Sequence, residues 1–188
     1  MNNNYNKIGF TLLLGLFAAH AHAADPAAGK AKAAACQGCH GAAGISSNPQ
    51  QPNLAGLNAF YIENQLNNFK AGSRDNPVMK AIAAGLSKEE IENLAAYFAG
   101  LPAGSAGGDA ALAAAGKDKV AMCMGCHGEK LHGQGHVPGL AGQQPTYLDK
   151  QLHDFKAGTR QAGPMSAIAK SLADGDIKEM TAYLGSLK

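Results

Sequence analysis

Two pentapeptides hold all four cysteines of the chain: "CQGCH", with Cys36, Cys39 and His40, and "CMGCH", with Cys123, Cys126 and His127. Three chemistries compete for such a pattern. A thioredoxin-like redox pair wants a βαβ context, and no such pattern surrounds either motif. A zinc site drawing on both CxxC pairs would have to bring the two motifs together across the length of a small domain, and it would leave both histidines without a role. In the third, the thiols form thioethers to the two vinyl groups of a haem, and the adjacent histidine is carried under the iron to bind it through Nε2. Only the third uses all three residues of each motif.

The motifs come as a pair because the chain is written twice. The segment from Pro52, "PNLAGLNAFYIENQLNNFKAGSRDNPVMKAIAAGL", aligns without a gap with "PGLAGQQPTYLDKQLHDFKAGTRQAGPMSAIAKSL" from Pro138, and over the whole repeat roughly two positions in five are identical. Upstream, "AAGKAKAAACQGCH" aligns with "AAGKDKVAMCMGCH". The repeat then filters the six methionines for a second iron ligand. Met79 aligns with Met165, each in a Pro-bearing segment, "DNPVM" and "AGPM", read as a loop ahead of the final helix of its copy. Met122 and Met124 flank Cys123, Met180 aligns with Leu94 as a core residue, and Met1 lies in the N-terminal segment. Methionine also fills cores adaptably. The aligned, off-face placement of Met79 and Met165 instead favours thioether ligation opposite each histidine. His132, His136 and His153 have no such partner in the repeat and read as solvated or structural. Pro52 and Pro138 follow their histidines by about a dozen positions, where a proline carbonyl can accept the Nδ1 hydrogen and fix the ring. The repeated "FKAGSR" and "FKAGTR" leave two readings for Lys70, Arg74, Lys156 and Arg160: holding haem propionates, or solvating a helix end.

The elements that must carry these groups are helices. β-Branched residues are sparse, alanine is abundant, and the apolar spacing suits a 3.6-residue period. Phe60, Ile62, Leu66 and Phe69 predict a helix from Asn58 to Gly72. Ser87 with Glu90 makes a capping box for a helix carrying Ile91, Leu94, Ala95 and Phe98. The second copy repeats the scheme with Leu148, Leu152 and Phe155, then with Ile177, Met180 and Leu184 behind Asp174 as the expected cap. Gly29 and Gly116 on the first helices pair with Tyr97 and Tyr183 on the last, which predicts a close helix crossing in each copy. The fold class is all-α: a tandem duplication of two small domains, 24–101 and 111–188. Residues 102–110, rich in Gly, Ala and Pro, join them.

The bulk properties agree. The N-terminal segment 1–23 has a polar start with Lys7, an apolar run too short to span a membrane, and an A-x-A ending at Ala23; it reads as a secretory signal peptide cleaved before Ala24, placing the product in the periplasm. Each copy alone is near the size at which a core needs extra help, and a large buried cofactor supplies it. A formal net charge of +2 argues for no nucleic-acid partner.

CxxCH, "PNLAG", "YIENQLNNFKAGSR", "VM" and "AAYFAGL", present twice behind a signal peptide, resemble the di-haem cytochrome c4 family over essentially the whole mature chain. The resemblance implies two class I cytochrome c domains facing each other about a pseudo-twofold axis, with two covalently bound haem c groups. It implies thioethers at Cys36, Cys39, Cys123 and Cys126, and axial pairs His40 with Met79 and His127 with Met165. It further implies a periplasmic, often membrane-associated carrier of single electrons, with a quinol-oxidising complex as donor and a terminal oxidase as acceptor, and no catalysis of its own. Two rivals stand beside it: the cytochrome subunit of a larger, flavocytochrome-type dehydrogenase, and a di-haem peroxidase with one iron left open.

Overall fold

In the computed structural model, residues 23–188 are described; the signal-peptide reading falls on the segment outside them. Asp25 opens the first helix, α1 (Pro26–Lys32), by accepting from the Ala27 N–H, with Pro26 at a position where its missing N–H costs nothing. A 3₁₀ turn (Ala33–Cys36) runs straight into α2 (Gln37–His40), and a long loop leads to α3 (Ala59–Ala71), α4 (Pro77–Ala84) and α5 (Lys88–Ala99). The second copy repeats this as α6 (Ala110–Gly116), α7 (Ala121–His127), α8 (Pro145–Ala157), α9 (Pro164–Ser171) and α10 (Asp174–Ser186). Among the described residues there is no strand, only one isolated bridge between Gln134 and Val137.

Local chemistry sets most of these limits. Asn58 caps α3 through the Tyr61 N–H, and Gly72 ends it in the left-handed conformation at φ 79°. The Ser87–Glu90 capping box forms in both directions. Asp174, however, is the first residue of α10 rather than its cap: Ala173 takes that position without a side-chain bond. The Asp174 carboxylate instead accepts from Lys156 Nζ at 2.7 Å, a stronger partner than the backbone N–H it was expected to meet.

Each copy packs its first helix across its last, sets α3 or α8 against that last helix, and lays α4 or α9 on α3 or α8. The cores hold Ile62, Ile91, Leu94 and Phe98 in one domain, and Leu148, Ile177, Met180 and Leu184 in the other. Phe60, expected on the apolar face of α3, is instead largely exposed. At the crossings only glycine fits. A Cβ on Gly29 would lie 2.0 Å from the Asn93 carbonyl oxygen, and one on Gly116 would lie 2.0 Å from that of Glu179. Because that obstacle is backbone, Gly29→Ala or Gly116→Ala must push two helices apart. We expect a loss of about 3 kcal/mol or more in denaturant unfolding of the holoprotein; a variant as stable as the parent would show that the crossing is not that tight.

The segment between the copies is strapped down. The Ala106 N–H donates to Gly142 O and the Gly107 N–H to Gly185 O, while Ala103 packs on Gly56 and Gly104 on Ile45. It therefore touches both domains and limits how they sit against each other.

Candidate functional site

The second CxxCH lies wholly on α7, whereas in the first, Cys36 closes the 3₁₀ turn and the rest lies on α2; both helices end at the histidine. A glycine follows each, Gly41 at φ 81° and Gly128 at φ 83°, and turns the chain away at once. None of the four cysteines is in a disulfide; Cys36 and Cys123 are half-buried, Cys39 and Cys126 exposed. Burial pushes the Cys36 thiol pKa up, with Cys39 adding to the rise and Lys32 opposing it, and burial raises that of Cys123 as well. A redox CxxC works by a lowered pKa of its first thiol, so Cys36 and Cys123 have the opposite character.

The histidines are buried, at 7% and 5% exposure. His40 Nδ1 lies 2.9 Å from the Pro52 carbonyl oxygen, and His127 Nδ1 lies 2.7 Å from that of Pro138. Facing a carbonyl, Nδ1 must carry the hydrogen, which leaves the Nε2 lone pair available to a metal. Burial holds both imidazoles below the usual histidine pKa, and the bond to the proline carbonyl offsets part of that drop. The neutral ring is the one that ligates.

Met79 and Met165 are half-buried and lie in the first turns of α4 and α9, not in loops. Pro77 and Pro164 sit at the first helical position and so start these helices rather than interrupt a loop. The two turns differ. Asn76 caps α4 by accepting from the Met79 N–H at 2.9 Å. At the same position α9 has Gly163, at φ 41° and without a side chain, so the Met165 N–H bonds to Ala162 O at 3.0 Å.

Two thiols, a neutral imidazole with a free Nε2 and a thioether in each copy fit a covalently held iron porphyrin. Among the described residues no three His, Cys, Asp or Glu side chains gather as a metal site, although the shared zinc reading needs them to. Of the other described histidines, His153 is held by Asp149 and Asp174, and His132 by the Lys188 carbonyl.

The repeated lysines and arginines part company. Lys70 and Lys156 cap carbonyls, donating to Leu86 O and Leu172 O. The arginines cross between the domains. Arg74 donates Nη1 to Gln65 of its own domain at 2.8 Å, and Nη2 to Tyr147 Oη at 2.9 Å and Gln151 Oε1 at 2.8 Å in the other. Arg160 mirrors it, with Nη1 to Gln151 at 2.6 Å and Nη2 to Tyr61 Oη at 3.2 Å and Gln65 Oε1 at 3.1 Å. Each guanidinium also lies over a phenylalanine of its own domain, Phe69 at 4.6 Å and Phe155 at 4.5 Å. This clasp makes the pseudo-twofold relation between the domains visible in side chains. Sequence reasoning did not find its partners, although Tyr61, Gln65 and Arg74 all recur in the second copy.

Two class I cytochrome c domains, each with a donor set for one covalent haem, are what this fold and these residues define. The cytochrome c family model matches twice, over residues 26–102 and 113–188. Cytochrome c4 of Pseudomonas aeruginosa is 38% identical over 97% of this chain and 99% of its own length. The crystal structure of reduced recombinant cytochrome c4 from Pseudomonas stutzeri superposes with a TM-score of 0.83 at 33% identity, over 88% of this chain and all of that one. A thiosulfate dehydrogenase electron acceptor of Stutzerimonas stutzeri is 35% identical over 82% of this chain and 80% of its own. The chain belongs to the cytochrome c4 family; it carries two covalently bound haem c groups and is an electron-transfer protein, not an enzyme.

Proposed function

We propose that the chain, cleaved before Ala24, works in the periplasm as two haem domains, 24–101 and 111–188, joined by 102–110. In this reading Cys36, Cys39, Cys123 and Cys126 hold the haems by thioethers, while His40 with Met79 and His127 with Met165 are the axial ligands. A quinol-oxidising complex donates to it and a terminal oxidase accepts from it. What supports the reading is that both copies present a complete donor set, with a neutral imidazole fixed by a proline carbonyl in each. The bound haems supply one-electron iron chemistry. The protein's own part is to hold the imidazole in one orientation, keep water from its Nε2 face and place the thioether in the first turn of a helix. Rigid placement of these groups keeps rearrangement on electron transfer small. Among the described residues no helix is long and apolar enough to cross a membrane.

The test is a CO difference spectrum of the reduced holoprotein, followed by its oxidation with membranes carrying a terminal oxidase. No CO binding and fast oxidation are expected; CO binding at either haem would overturn the ligand assignment, and failure to be oxidised would overturn the direction. Similarity to a thiosulfate dehydrogenase electron acceptor favours a second reading, in which a dehydrogenase is the donor. Reduction of the oxidised protein by thiosulfate dehydrogenase and thiosulfate, much faster than by a quinol-oxidising complex, would decide for it.

A further inference from the structure

The seam between the domains also contains a buried polar knot beside His40. Asn53 follows Pro52, whose carbonyl takes the His40 Nδ1 hydrogen; its Oδ1 accepts from the Ser46 N–H of its own domain at 2.8 Å, and its other strong bonds come from the other domain. Its N–H donates to Gln143 Oε1 at 2.7 Å, its carbonyl accepts from Gln143 Nε2 at 2.9 Å, and its Nδ2 donates to Gly142 O at 2.9 Å. Gln144 adds a second grip, donating from Nε2 to Ser46 O at 2.7 Å. Ser46 in turn donates from Oγ to the carbonyl of Cys39, the residue before His40. Asn53, Gln143 and Gln144 are 3%, 5% and 7% exposed, so water does not substitute for these partners.

Gln144 stands at the start of α8 yet makes no cap, its amide being committed to the other domain. Its counterpart Asn58 starts α3 and also reaches across, from Nδ2 to Val137 O at 2.8 Å. Val137 precedes Pro138, the acceptor for His127. Each domain thus grips the backbone next to the other's proline carbonyl. The grip is uneven: Gln143 aligns with Leu57, and Asn53 aligns with Gly139, which has no side chain.

We propose that Gln143, and more weakly Asn58, are positioning residues: each fixes the proline carbonyl that accepts the axial histidine's Nδ1 hydrogen in the opposite domain, so that each haem's potential depends on contact with the other domain. A firm acceptor at Nδ1 gives the imidazole partial imidazolate character, which favours Fe(III); loosening it favours Fe(II) and raises the potential. The proposal rests on His40 and His127 being the axial ligands.

The variants are Gln143→Leu, which installs the residue of the other copy, and Asn58→Ser, which keeps a helix cap but loses the reach. An NMR-monitored redox titration of the holoprotein follows each haem's methyl signals and the ligand imidazole N–H. Expected for Gln143→Leu is an upward shift of the first domain's potential, with faster exchange of the His40 N–H and the second haem unmoved. Asn58→Ser should do the same, by less, to the second domain only. Unmoved potentials in a folded variant, or equal shifts at both haems, would overturn the proposal. If Gln143→Leu fails to take up haem, Asn58→Ser decides alone. Assignment of the wild-type ligand N–H signals to other histidines would instead overturn the ligand reading.

Discussion

Replacing Met79 or Met165 by alanine should lower the potential of the haem in that domain and let CO bind it after reduction. A neutral thioether is a weak donor that favours Fe(II), so its loss to water or hydroxide shifts the balance toward Fe(III). Axial ligands command a range of roughly 0.8 V, and exchanging one of them is the largest single change available to either site. The two variants should not be equivalent. Met79 stands on a turn whose N–H is tied to Asn76, so removing its side chain leaves the backbone of α4 in place. The turn bearing Met165 has no side-chain cap and begins at a positive-φ glycine, so Met165→Ala should also loosen α9. A redox titration with CO difference spectra checks this: one open haem per variant, with a broader loss of order in the second. If neither variant moved a potential or bound CO, the methionines would be core fillers and the sixth ligands would lie elsewhere.

The parts of this molecule that could be read from the sequence are those whose chemistry is local. The CxxCH motifs, the Ser87–Glu90 box and the glycine after α3 each act within a few residues. The duplication then carried that reading to longer range: the proline that opens the aligned segment, 12 residues after His40 and 11 after His127, is in both copies the histidine's hydrogen-bond acceptor. Two expectations failed where a local rule met a competitor. The sequence offers Asp174 as a cap, but Lys156, from α8, takes its carboxylate. The segments of Met79 and Met165 were read as loops because of their prolines, although proline at the first helical position is itself a start signal. The seam was out of reach for another reason. Arg74 meets Tyr147, and Asn53 meets Gln143, only once two finished domains face each other, and no periodicity within one copy encodes that pairing. The available hint was that Tyr61, Gln65 and Arg74 all repeat while much of the surface around them does not.

Breaking the arginine clasp should cost more than any other surface-adjacent change, and the two arginines should not act independently. Arg74→Met keeps much of the apolar stem on Phe69 but removes one bond within the domain and two across the seam. Hydrogen bonds to a charged group contribute about 1.5–3 kcal/mol each. Against that, no carboxylate pairs with either guanidinium among the described residues, and burying an unpaired charge is itself unfavourable. A net loss of about 3 kcal/mol is the balance expected for either single variant. The double variant should lose more than the sum. Arg74 and Arg160 both donate to Gln65 Oε1 and to Gln151 Oε1, so each survivor keeps an acceptor served that would otherwise be stranded, and the two cations repel across the same space. A double-mutant cycle in denaturant unfolding of the holoprotein measures this coupling, for which contacting residues typically give 0.5–3 kcal/mol. Strict additivity would mean that the two guanidiniums are separate surface contacts; a double loss larger than the sum would make them one shared joint. That joint would then hold the seam closed, keeping Gln143 against Asn53 and Asn58 against Val137.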